Sequence, residues 1–135
     1  IDGLSVPCIK HGLVEPRVPR GRLVKMLADM FPDAVELLVS QQVSFGASRF
    51  CSGDAVLARV DNAWSVARLI TAVSVDGNLL GVVHHWPFLD RTQTGPRHIV
   101  QQTPSLVDLH LLECSLCYRL NEDKTIATVL LPSWL

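Results

Sequence analysis

Five histidines, four cysteines and a few aromatics beside carboxylates are the side chains with chemistry to offer. Cys8-x-x-His11 and Cys114-x-x-Cys117 have the spacing of metal-ligand pairs, and together they would supply the four ligands of a structural zinc site. The pairs stand far apart in the chain, and the second lies in an apolar run from Leu111 to Leu120 that reads as a buried strand. Thiols packed as small hydrophobes are the weightier expectation, so no metal or other cofactor is assigned. Four cysteines are sparse for a secreted disulfide scaffold and read as reduced and intracellular. Metal binding by His84 or His85 with His98 or His110 lacks H-x-H or H-x-x-x-H spacing, and His84 and His85, adjacent on an expected strand, point to opposite faces. No G-x-S-x-G turn or other motif with a catalytic mechanism is present, so the chain reads as a non-enzyme.

The elements that would position these groups follow from composition and period. The chain has 135 residues, 48% of them hydrophobic and 19% charged, with a net charge of -1. Its mean hydropathy is +0.28, high enough to suggest apolar surface covered by a partner. That length fits one domain with a proper core, and the composition excludes disorder and collagen-like fibres. The apolar runs fall far short of the roughly 20 residues that cross a bilayer, so no membrane span is expected. Residues 1–10 lack the basic start and apolar core of a signal peptide. The chain begins at Ile1 without Met and reads as a piece of a longer protein, in which Trp134 would have covered another part of the parent. Near-neutral charge argues against phosphate binding as the main work, leaving Arg17, Arg20, Arg22 and Lys25 as a secondary nucleic-acid contact; a solvated face is their ordinary use.

Residues 1–20 hold Pro7, Pro16 and Pro19 and show no period, as an irregular arm would. Leu23, Leu27 and Met30 then fall at i, i+4 and i+7, predicting an amphipathic helix from Arg22 to Phe31 that Pro32 stops. After it, Asp33 either caps a second short helix or opens a strand through Val35 to Val39. Beyond Ser40 short β-branched runs alternate with turn formers. Strands are expected at Gln41 to Phe45, Ala55 to Val60, Ser65 to Val75, Leu79 to Trp86, His98 to Gln102, Leu111 to Leu120 and Thr125 to Leu131. Asp76-Gly77 between two apolar runs is a strong hairpin signal. With no crossover helices, the pattern favours a small twisted antiparallel barrel or sandwich over a parallel α/β arrangement.

Several of these strands carry a family resemblance. The run Val82-Val83-His84-His85-Trp86-Pro87-Phe88-Leu89-Asp90-Arg91-Thr92 looks like the central signature of bromo-adjacent homology (BAH) domains, with the proline before the second aromatic instead of after it. Ser52-Gly53-Asp54-Ala55-Val56-Leu57 is similar to that family's opening Gly-Asp-x-Val strand, and Trp64 to Val75 fills the place of its second strand. Arg97-His98-Ile99-Val100 stands where the family has a short strand, and Leu111 to Cys117 resembles its Ile-x-Gly-Lys-Cys strand, with Cys114 in the cysteine position and Glu113 where Lys is usual. The resemblance covers residues 40–131.

It implies a mainly β, BAH-like or SH3-like barrel over residues 40–135, preceded over residues 1–39 by an arm and one or two helices. It also implies a non-enzymatic, nuclear, chromatin-associated module that binds a histone tail, a nucleosome-associated protein or another protein surface. Some members read methyl-lysine through an aromatic cage, in which ring faces and an acidic residue hold the ammonium. Candidate cage residues here are Trp64, Trp86, Phe88 and Tyr118 with Asp90 for charge, each weighed against service as a core plug. The alternative reading is an accessory or structural β-domain, zinc-bearing through Cys8, His11, Cys114 and Cys117, of a mobile-element or other nuclear enzyme.

Overall fold

The computed structural model describes residues 11–45 and 48–131. Among them, twelve strands and one α-helix follow in the order β1 (His11–Leu13), α1 (Arg22–Met30), β2 (Leu37–Ser40), β3 (Gln42–Phe45), β4 (Ser48–Cys51), β5 (Ala55–Val60), β6 (Ala63–Val75), β7 (Asn78–His85), β8 (Phe88–Thr92), β9 (Gly95–Ile99), β10 (Pro104–Asp108), β11 (Leu112–Leu120) and β12 (Ile126–Leu130). A single 3₁₀ turn at Leu109–Leu111 joins β10 to β11. The fold is mainly β and antiparallel, as the sequence pattern suggests. Cys8 and Trp134 lie outside the described residues.

Strand β6 organises the larger sheet. Its first half pairs with β5 and its last four residues with β2 on the same edge, while β7 runs along the other edge. The hydrogen-bonded path is β10-β7-β6-β5-β11-β12-β9-β8, and β1, β3 and β4 form a separate three-stranded sheet. Its two end strands do not pair, so the expected barrel is not closed. Pro87, between β7 and β8, has no N–H for a ladder, and the chain turns there from one part of the sheet to the other.

Two hairpins show local sequence at work. Asp61 and Asn62 join β5 to β6, and Asp76 and Gly77 join β6 to β7; all four have positive φ, the backbone hand that matches strand twist. Asp76 also accepts hydrogen bonds from the backbone N–H of Val35 (3.0 Å) and Glu36 (2.6 Å), tying the segment after the helix to the hairpin.

Side-chain alternation divides the apolar residues between cores. Val56, Ala58 and Ala67 face a first core shared with Val43 and Phe50 of the small sheet, while Leu57, Val66, Leu116 and Trp86 face a second. In the β5–β11 ladder, Leu112 pairs with Ala58 and Cys114 with Leu57, making Glu113 the extra residue of a bulge. That one residue sends Leu112 to the first core and lets Cys114 pack on the second. Helix α1 ends where Pro32 follows Phe31, and its buried Leu27 packs with Val39, Val73 and Val82 in a third cluster. Residues 11–39 are thus joined to the sheet system by helix packing and by pairing of β1 with β3 and β2 with β6.

Candidate functional site

The aromatic candidates take different places. Trp86 is 2% exposed and lies in the second core, its ring edge-on to Tyr118 at 5.3 Å and 76°. Its backbone N–H donates to Val66 O at 2.9 Å, and its carbonyl accepts from His98 Nδ1 at 3.0 Å. Tyr118 donates its hydroxyl to Gly53 O at 3.4 Å. Phe88, 59% exposed, packs its ring edge-to-face with His98 at 5.7 Å. Trp64, 42% exposed, stands at the start of β6 with the Arg59 guanidinium 5.5 Å over its ring, a cation–π contact within the protein. Asp90 accepts from Arg97 Nε at 2.7 Å and pairs with the same guanidinium through its second oxygen. That hydrogen bond, ahead of the other influences on it, holds the Asp90 carboxyl below the usual carboxylate range.

A cage that uses Trp86 as a wall is not open in this arrangement, because a ring buried among Val66, Leu116 and Val129 has no face left for an ammonium. Pro87 is the cause, because it breaks the ladder between two rings that strand alternation alone would leave on one face. Trp86 follows β7 into the curl of the sheet, whereas Phe88 opens the edge strand β8 and stays outside.

Strand alternation separates the two cysteines of the second metal-ligand pair. Cys114 and Cys117 are three apart on the unbroken stretch of β11, so they point to opposite faces, one half-buried and one exposed. Burial, with the Glu113 charge adding to it, pushes the Cys114 thiol above its ordinary value and keeps it protonated. Cys8 lies outside the described residues, as does the side chain of His11. No group of three or more His, Cys, Asp or Glu is placed to hold a metal among the described residues. His84 and His85 do diverge: His84 sits opposite Arg68, and His85 borders a groove on the other side of the sheet.

That groove is an apolar concavity of about 340 Å³. Val56, Ala58 and Val60 of β5 form one side, and Ala67 and Val83 form the floor. Ser105 and Val107 of β10 stand opposite, continuing into Leu111 and Leu112. Val60 and Leu111 are 37% and 38% exposed, so the rim as well as the floor is apolar. His85 and Asp108 are the ionisable groups at its border, and Asp108 spends one oxygen on the His110 N–H at 2.9 Å. Beside the groove runs β10, which among the described residues pairs with β7 alone and has no strand along its other edge. Sequence reasoning missed this site. Its signal was the small residues Ala58 and Ala67 facing the same side of two adjoining strands where larger ones would fill the space.

The basic candidates also separate. Arg17 lines a polar cavity near the arm and, with Arg20, a neighbouring one whose walls are mostly apolar, while Arg22 and Lys25 lie exposed on α1. No protein-family model matches the chain, and neither a curated protein nor a solved structure matches it. No helix among the described residues is long and apolar enough to cross a membrane.

Proposed function

We propose that this chain is a non-enzymatic binding module whose ligand is an extended segment of a partner protein, held in the groove beside β10. The observation that carries the reading is the conjunction of an apolar concavity with an open strand edge. A strand added to β10 would gain main-chain hydrogen bonds along that edge and present alternate side chains on the face of Ser105 and Val107. Burying one aliphatic side chain there is worth roughly 1.5–3 kcal/mol, enough to select apolar residues at alternate positions. The resemblance of residues 40–131 to BAH domains supplies the partner class: a histone tail or nucleosome-associated protein, met in the nucleus. The groove has no Phe, Trp or Tyr in its lining, so recognition there is of aliphatic side chains in an extended backbone and not of a methyl-ammonium.

The test is a titration of the 135-residue chain against an array of histone-tail and other extended peptides, methylated and unmodified. The exposed rim variants Leu111→Asp and Val60→Asp are expected to weaken the bound peptides by about tenfold or more, as a desolvated charge in an apolar site would. Trp64→Ala and Phe88→Ala are expected to leave binding unchanged. Binding that survives both rim variants and disappears with Phe88→Ala or Trp64→Ala would move the site to the exposed aromatics and overturn the groove.

A further inference from the structure

The arm, the β2–β3 turn and β4 enclose a second kind of surface. Val14, Glu15, Arg17, Gln41, Gln42 and Arg49 border a polar cavity of about 450 Å³. A neighbouring, more apolar cavity of about 260 Å³ shares Arg17, Ser40 and Gln41 with it and adds Arg20 at its border beside Val18, Leu23 and Val39. The walls are held by backbone: Arg17 and Val39 exchange two hydrogen bonds at 2.9 and 2.8 Å, and Val14 N–H donates to Gln42 O at 3.0 Å. Ser40 donates its hydroxyl to the Val14 carbonyl and accepts from Gln42 N–H at 3.1 Å. The arginines are therefore carried on a fixed frame.

Arg49 on β4 joins Arg17 and Arg20 of the arm from a distant part of the chain, and none of the three has an ion-pair partner among the described residues. Glu15 is the one carboxylate in either lining. In a chain of net charge -1 this is a local concentration of unneutralised guanidinium groups. It continues outward along α1, where Arg22 and Lys25 are exposed and three apart, on one side of the helix. The first turn of that helix carries no acidic residue, and Gly21 at its start gives no side-chain cap. A run of cations extending beyond a single cavity suits a chain of regularly spaced anions better than one phosphate. Neither lining contains an aromatic ring, so bases would find no stacking platform.

We infer that these adjoining cavities bind the phosphodiester backbone of a nucleic acid, without base readout, at a site separate from the β10 groove. Arg17, Arg20 and Arg49 take phosphate oxygens, Gln41 and Gln42 offer amide donors, and Glu15 limits affinity. The sequence shows part of this set in Arg17, Arg20, Arg22 and Lys25; Arg49 joins it only through the pairing of β4 with β3.

The experiment is fluorescence anisotropy of the 135-residue chain with labelled duplex and single-stranded DNA at stepped potassium chloride. Three neutralised phosphates give a log–log salt slope near -3, or about 40-fold weaker binding between 50 and 200 mM salt. Arg17→Gln, Arg20→Gln and Arg49→Gln should each flatten the slope by about one and together leave only what Arg22 and Lys25 add. Glu15→Gln should tighten binding, a gain that misfolding cannot mimic, and Arg119→Gln, on β11, should change nothing. Binding with no salt dependence, or equal loss with Arg119→Gln, would overturn the site. So would competition by inorganic phosphate or a phosphopeptide at concentrations matching DNA, which would make this a single-phosphate pocket.

Discussion

Trp86 ties the second core together through three separate groups: its indole packs with Tyr118, its N–H reaches Val66 and its carbonyl holds His98. Truncation to Ala is expected to cost about 3–5 kcal/mol in urea unfolding. Trp86→Phe should cost much less, because the indole Nε1 is buried without a hydrogen-bond partner and its loss sacrifices no bond. His98 makes the fold acid-sensitive. Burial, ahead of a repulsive contribution from His85, lowers its affinity for a proton despite the opposing effect of the Trp86 carbonyl. The unfolded chain then binds a proton at the ordinary 6.5 while the folded chain resists. Stability is full above that value and is lost as pH falls below it toward the folded-state value, with His84 contributing in the same direction. Unfolding midpoints should decline from about pH 7 to about pH 5, and less in His98→Gln. At this scale the sequence supplied residue types but not sides: Trp64, Trp86 and Phe88 look alike in a list, and only pairing register separates a core plug from an exposed ring.

Strand pairing depends on a few backbone positions. Gly95 opens β9 at φ 135°, and a Cβ there would stand 2.6 Å from the Val129 carbonyl oxygen. Gly95→Ala should therefore destabilise by about 2 kcal/mol or more, since backbone must move. Gly81→Ala should cost less: its Cβ would meet side chains and not backbone, Leu109 Cδ2 at 3.0 Å and Leu69 Cδ1 and Val107 Cγ1 at 3.3 Å, which need give only by tenths of an ångström. Thermal unfolding of the two variants distinguishes them. Much at this scale was legible. Ala55 to Val60 has the bounds expected, α1 stops one residue short of expectation at Met30, and the Asp76-Gly77 hairpin stands where its turn chemistry puts it. The strands missed were β1, β4, β8 and β10. Asp90 and Arg91 gave β8 the look of a polar turn, yet charge is one way exposed edge strands avoid unwanted partners.

At the scale of the whole molecule, the incompletely closed sheet leaves β10 and β8 as edges among the described residues and an apolar groove beside β10, both consequences of the path β10 to β8. The antiparallel β character was readable from period and turns. The groove was not, because β5, β6, β7, β10 and the turn after it each add one or a few small contacts from distant parts of the chain. The two proposed sites should also be independent: Leu111→Asp should leave DNA affinity unchanged, and Arg49→Gln should leave peptide affinity unchanged, as separate sites add. The most direct measurement is amide hydrogen exchange of the chain with and without a peptide captured from the array. Slowed exchange confined to β10 and the strands bordering the groove is expected. Protection that appears instead at β8, around Phe88, with β10 unaffected, would contradict the account.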